Sequence, residues 1–207
     1  MPRPHWDRVL VGMYTGGVRV ALSQDISHTS EIPRRDLSGE DAAALAETWE
    51  RLRSPVLSGL FDIDRRLGQI TVKSLPAAPL TAAVLHALAA AVVRRPPTPP
   101  VTLAASGHAV DVVPAAVTKA AVVREIAAAL GEEVVLAVGD QGQPDGNDFD
   151  LLAATPFTLS VDRCSADPTR CWNLLPSDRQ GPDGLVAYLE RLTPAPGGGL
   201  RLDWPGG

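Results

Sequence analysis

The sequence predicts an α/β protein in two parts, and three observations predict it. Residues 134–138 run Val-Val-Leu-Ala-Val without alternation, the mark of a strand buried on both faces of a mostly parallel sheet. From Thr118 onward helical and strand-like segments alternate, as in half of a doubly wound sheet. Between residues 37 and 113 the order is helix, two strands, helix, two strands, which describes a compact α+β unit.

Each element has its own local reason. Residues 8–14 form a short apolar segment, and Gly16-Gly17 turns the chain into Val18-Arg19-Val20-Ala21-Leu22, a strand pair. Residues 24–36 are a polar loop. Ser38 with Asp41 three residues on is an N-cap signal, and Leu45, Trp49 and Leu52 fall on one helical face that ends at Pro55. Residues 56–63 and 69–73 are strand-like, with Arg65-Arg66-Leu67-Gly68 as the loop between them. Pro79 starts an alanine-rich helix that runs to Arg94-Arg95 and is stopped by Pro96, Pro97, Pro99 and Pro100. Residues 101–105 and 109–113 form another strand pair around Ser106-Gly107-His108. Thr118 caps a helix that Gly131 closes. After the strand at 134–138 come a helix, a strand at 157–161 and a last helix at 184–192, and the Gly/Pro tail is expected to fray.

Composition bounds the function. The 207 residues carry a net charge of −5 with no basic stripe, which argues against nucleic acid as a partner. The longest apolar helix, residues 80–93, contains His86 and is too short to span a bilayer. No charged-then-apolar leader opens the sequence, so a cytoplasmic location is expected. Cys164 and Cys171 are the two cysteines. Their spacing fits no zinc pattern and no histidine lies nearby, so two reduced thiols in a loop are expected. Trp172, beside Cys171, is expected to be buried.

The chemistry concentrates at the end of the apolar strand. Gly139-Asp140 places a carboxylate at its carboxyl end, the edge where ligands bind in open α/β sheets. A loop rich in Gly, Pro and Asp follows, and Asn147-Asp148 then opens a helix over Phe149, Leu151 and Leu152. Carboxylates crowded into one loop repel unless a cation sits among them, and Mg2+, which takes one or two carboxylates and keeps several waters, fits.

These residues carry a resemblance. Ala109-Val-Asp-Val-Val-Pro-Ala-Ala-Val-Thr-Lys119-Ala-Ala-Val-Val-Arg is a strand leading into a lysine-headed helix. With Val138-Gly-Asp140 and Asn147-Asp148 it resembles the haloacid dehalogenase (HAD) superfamily, in particular the large-capped Cof-type and sucrose-phosphatase-like phosphatases. The resemblance implies a HAD-like Rossmannoid core at 1–22 and 114–207, incomplete at its amino-terminal part, and an inserted α+β cap at 23–113. It implies that Lys119 neutralises the nucleophile and the transferring phosphoryl group. It further implies that Asp140 is the principal Mg2+ ligand, and that Asn147 and Asp148 support phosphate, metal and lysine. Gln141 to Gly146 lengthen the loop relative to the family pattern, so Asp145 competes with Asp148 for the second acidic position; Asp148 is favoured because Phe149-Asp150-Leu151-Leu152 continues the pattern. Each residue also has a plainer reading: Lys119 as a first-turn residue opposing the helix dipole, Asp140 as a loop carboxylate, and Asp145 and Asp150 as solvated ones. His108 and Ser106 fall in the cap-like part, where a substrate contact is the less favoured reading.

The sequence departs from the family at the nucleophile. The family attacks phosphorus with the first aspartate of an Asp-x-Asp-Gly-[Thr/Ser] segment, and nothing before Gly17 resembles it. Asp62-Ile63-Asp64 has the local look but is followed by Arg-Arg-Leu and lies in the cap-like part. A companion polypeptide, a swapped second copy or sequence missing from these residues is therefore expected to complete the core sheet, giving a phosphatase for a small phosphorylated substrate such as a sugar phosphate. The alternative is a catalytically inactive HAD-like binding or regulatory protein.

Overall fold

A computed structural model describes residues 9–21, 23, 37–55, 57, 59–66, 68–95, 100–106, 108–129, 134–144, 146–197 and 199–204. The expected loop at 24–36, the prolines 96, 97 and 99, and Gly131 lie outside the described residues. The chain divides into two compact units. One comprises Met1–Val11, Val20–Glu31 and Val123–Gly207, the other Gly12–Arg19 and Ile32–Val122.

Strands β1 (Leu10–Met13) and β2 (Val18–Ala21) pair in a two-stranded sheet. Between them Thr15 and Gly16 take φ of 56° and 93°, the left-handed turn that the Gly-Gly step predicts. A Cβ on Gly16 would stand 2.6 Å from Val122 Cγ2, so close approach as well as φ requires glycine there.

In the unit containing residues 32–122, helix α1 (Gly39–Leu52) starts at Ser38, whose Oγ accepts the Asp41 N–H at 3.0 Å. Leu45 and Leu52 are buried and Trp49 packs beside them. Helix α2 (Ala82–Val93) starts three residues later than Pro79 predicts, because Thr81 caps it through the Val84 N–H. Strands β3 (Phe61–Arg66), β4 (Gln69–Ser74), β5 (Val101–Ala105) and β6 (Ala109–Pro114) form one antiparallel sheet in the order β3-β4-β6-β5. Strict alternation sends Ile63, Ile70, Val72, Val110, Val112 and Leu103 to one face. They join Leu45, Leu52, Leu85, Ala89 and Val93 of the two helices in a single apolar core. The expected α+β unit is what forms.

One boundary there needs correction. Leu57, Gly59 and Leu60 lie in turns, with the Leu57 and Leu60 N–H groups bonding three residues back, and β3 starts at Phe61. Arg65 and Arg66, expected in a loop, are strand residues paired with Ile70 and Gln69. That register leaves a two-residue connection in which Gly68 has φ 75°, as tight hairpins require.

Helix α3 (Lys119–Ala129) begins in that unit, and its part from Val123 onward belongs to the other, where Val123 joins a core with Ala137, Leu152 and Cys171. Strands β7 (Leu136–Gln141) and β8 (Phe157–Arg163) run parallel, Leu136 opposite Phe157 and Gly139 opposite Ser160. The parallel pairing matches the sequence reading, but the strand's limits and burial do not. Val134 is 70% exposed and Leu136 38%, so the apolar run is not buried on both faces, and β7 continues through Gly139-Asp140 to Gln141. Among the described residues β7 pairs with β8 alone.

No regular helix follows Asn147-Asp148. The segment makes one helical bond, Leu152 N–H to Asp148 O at 2.8 Å, then a tighter one from Ala154 to Leu151. Pro156 excludes helical conformation from the residue before it, and Thr155 is instead tied by its hydroxyl to Val135 O at 2.8 Å. Helix α4 (Gly181–Glu190) starts three residues before, and ends two before, the expected 184–192. The tail is an antiparallel hairpin, β9 (Leu192–Pro194) with β10 (Leu200–Leu202). Leu202 and Trp204 pack on Leu159, Val161 and Tyr188, and the Arg191 guanidinium lies 4.5 Å over the Trp204 ring.

Candidate active site

The carboxyl end of β7 is organised by one buried carboxylate. Asp148 is 4% exposed, and its Oδ2 accepts the Asp140 N–H at 2.8 Å and the Gln141 N–H at 3.3 Å. Its own N–H returns to Gln141 O at 3.1 Å, which closes the turn onto the strand. Gly139 makes the arrangement fit: a Cβ there would meet Asp148 Cγ and Oδ2 at 2.8 Å. Gly139 is thus a residue of close approach inside the strand, not the turn residue that the sequence suggests. Gly146 plays the same part, since a Cβ there would lie 2.0 Å from Gln141 O.

Around this point the side chains are polar and linked. Gln141 Nε2 donates to Asp162 Oδ2 at 3.2 Å, and Gln143 Nε2 donates to Gln141 Oε1 at 2.9 Å. Ser160 Oγ donates to Arg163 O at 2.7 Å, its stronger bond, with Asp140 O at 3.4 Å. Sequence reasoning passed over Gln141, Ser160 and Asp162; the parallel register that sets β8 beside β7 is what brings them in. Two buried oxygens in the same turn, Asn147 Oδ1 and Gln143 Oε1, have no hydrogen-bond donor, a costly arrangement for a buried acceptor.

The structure therefore brings Asp140, Asn147 and Asp148 together at the end of β7. The Asp140 residue is exposed there, and so is Asp150. Asp145 lies outside the described residues. Lys119 is the first residue of α3, half-buried, and Thr118 Oγ1 caps that turn by accepting the Ala121 N–H at 3.0 Å. It belongs to the unit with residues 32–122, whereas Asp140, Asn147 and Asp148 belong to the other.

The donor set suits a hard divalent ion in kind. Asp140 offers an exposed carboxylate, and Asn147 a buried carbonyl oxygen that lacks a donor. Mg2+ needs few protein oxygens because it keeps its waters. Among the described residues no three His, Cys, Asp or Glu side chains gather as a metal cluster.

The remaining sequence candidates fall elsewhere. Asp62 and Asp64 sit on β3 of the antiparallel sheet, and Asp64 pairs with Arg66 at 2.7 Å. Ser106 Oγ donates to Ala109 O at 3.2 Å across the β5–β6 turn, and His108 is exposed. His86 lies on α2. Trp172, expected to be buried, is 43% exposed. Its indole donates to Pro168 O at 3.0 Å while its backbone bridges to β8; the loop needs its main chain more than its ring.

No family model and no curated protein matches the chain. Among solved structures it is similar to trehalose-6-phosphate phosphatase from Aspergillus fumigatus, at 16% identity and a TM-score of 0.47, covering 83% of this chain and 66% of that one. A second crystal form of that phosphatase gives 18% identity and a TM-score of 0.42, over 83% and 66% of the two chains. It is also similar to the sucrose-phosphatase of Synechocystis sp. PCC6803 solved with sucrose and phosphate, at 17% identity and a TM-score of 0.49, covering 85% of this chain and 71% of that one. The chain thus spans about two thirds of the length of these phosphatases. Among the described residues no helix is long and apolar enough to cross a membrane.

Proposed function

We propose that this chain is the larger part of a Mg2+-dependent HAD-type phosphatase that hydrolyses a small phosphate ester such as a sugar phosphate. The observation that carries the reading is the end of β7, where Asp148 holds the Asp140 and Gln141 backbone beside the donorless Asn147 Oδ1. In this reading Asp140 holds the metal ion directly, with Asp148 as the second acidic group and Asp145 as its weaker rival. Asn147 directs its oxygen or amide to metal or phosphate. Lys119 brings a compact cation to a phosphoryl oxygen, where negative charge grows as the ester bond breaks. Mg2+ supplies charge neutralisation at the transferring group.

The attacking aspartate comes, in this proposal, from a companion polypeptide or from sequence beyond these 207 residues, which contain no Asp-x-Asp-Gly-Thr segment. The same lack of a nucleophile favours a second reading, a binding or regulatory module without turnover.

Hydrolysis of p-nitrophenyl phosphate with Mg2+ separates the two. The chain mixed with the protein encoded immediately upstream is expected to turn over, and Asp140→Ala to abolish that activity. No turnover in any mixture would leave the binding module as the reading.

A further inference from the structure

The acidic turn carries a line of amide side chains that the phosphatase reading leaves unused. It starts on β8, where the main chain of Asp162 is fixed on both sides. Its N–H donates to Ser160 Oγ at 3.1 Å, and its O accepts from Asn173 Nδ2 at 2.9 Å. The β7–β8 register shifts at this level, from Gly139 opposite Ser160 to Gln141 opposite Arg163, so β8 carries one extra residue. Such a bulge re-aims side chains, and here Asp162 Oδ2 takes the Gln141 Nε2 donor at 3.2 Å. Gln141 Oε1 in turn takes the Gln143 Nε2 donor at 2.9 Å.

The carboxylate sets the direction of this line. It can only accept, so Gln141 must turn its nitrogen to Asp162 and its oxygen to Gln143. Gln143 must then give its nitrogen to Gln141, which commits Gln143 Oε1 away from that bond. That oxygen is buried and has no donor. The carboxamide is held against the turn itself: a Cβ on Gly146 would stand 3.0 Å from Gln143 Cδ, and the Gly146 N–H donates to Gln143 O at 2.8 Å. The next residue, Asn147, carries the other buried oxygen without a donor.

A buried acceptor without a donor is costly, and the cost is recovered when a cation, or the waters that it keeps, faces the oxygen. We propose that Gln143 is a further binding residue for the divalent cation of this turn, its Oε1 serving the hydrated ion together with Asn147 Oδ1, and that Gln141 and Asp162 are its positioning residues. The inference rests on the reading of the turn as a Mg2+ site. A neutral amide adds an oxygen there without adding to the repulsion between carboxylates.

A Mg2+ titration of the full folded chain, followed in its backbone amide and side-chain carboxamide signals, tests the role of Gln143. The wild type is expected to bind Mg2+ with a moving Gln143 Cδ signal, and Asp140→Ala to show neither. Gln143→Leu removes the oxygen without changing charge and is expected to weaken Mg2+ binding about tenfold. Gln141→Leu keeps Gln143 but takes away its anchor, and is expected to weaken binding by a smaller factor and to shrink the Gln143 Cδ movement. Should Gln143→Leu not fold, the wild-type Gln143 Cδ signal decides alone. An unchanged affinity in Gln143→Leu, or a Gln143 Cδ signal indifferent to Mg2+, while Asp140→Ala still abolishes binding, would overturn the role of Gln143 and leave the Mg2+ reading standing. Absence of Mg2+ binding by the wild type would overturn both.

Discussion

At the residue scale, Asp148 and Tyr188 bear stress that their neighbours do not. The Asp148 carboxylate serves the N–H groups of Asp140 and Gln141 at once, and alanine would take this acceptor from two part-buried donors. Asp148→Ala is expected to lower stability by about 1–3 kcal/mol in urea unfolding. Asp148→Asn keeps an oxygen at that point and should recover part of the loss. Tyr188 is fully buried, and its hydroxyl accepts the Leu174 N–H at 2.9 Å and donates to Ser160 O at 3.0 Å. That burial raises its ionisation above the usual 10. Tyr188→Phe is expected to cost about 1–3 kcal/mol by the same measurement. The Cys164 thiol, raised from 9.0 to about 11, gives a signed pH effect. Between those values the unfolded chain has lost a proton that the folded chain keeps, so this group's contribution is intact below pH 9.0 and declines as pH rises toward 11. Stopped alkylation of the native protein should show the same displacement, with Cys164 labelling still rising above pH 9.0.

At the scale of the element, caps and hairpins were legible in the sequence because each rests on residues near one another. Ser38 and Thr118 hold the N-termini of α1 and α3 by their hydroxyls, as the capping signals indicate, and Ser38→Ala is expected to cost about 1 kcal/mol, with Ser38→Asp close to neutral. Elements decided by distant partners were harder to read. The apolar letters of Val134 and Val135 suggested strand, but β7 begins where β8 can pair with it, at Leu136 opposite Phe157. Asn147-Asp148 carries a helix-start signal, yet only seven residues separate Asp148 from Pro156 and the Asp148 side chain is already committed to β7. Glycine and proline in the tail suggested fraying, while Leu200-Arg201-Leu202 alternates well enough to make β10 and lay Leu202 against Tyr188. Gly197 and Gly199, at φ 93° and 79°, make its turn.

At the scale of the whole molecule, the candidate site was half legible. Asp140, Asn147 and Asp148 do meet at one strand end, and the Gly-Asp and Asn-Asp pairs pointed there. The roles of Gly139 and Gly146 were hidden, because a glycine that admits a carboxylate looks in sequence like a glycine that makes a turn. Gln141, Ser160 and Asp162 were hidden because only the parallel register unites them. The α+β unit carries a network of its own, in which Gln69 and Thr71 are buried and donate to Asp111 Oδ1 at 3.0 and 2.7 Å. Asp111→Ala is expected to strand both donors and cost about 1–3 kcal/mol. In the phosphatase reading the acidic turn at the end of β7 holds the metal ion.

Paramagnetic broadening by Mn2+, as a stand-in for Mg2+, tests that directly in the amide spectrum of the folded chain with inorganic phosphate present. The account predicts that the signals of Asp140, Gln141, Asn147 and Asp148 broaden together at low Mn2+, and that Asp140→Ala removes the effect. Broadening confined to other segments would contradict it.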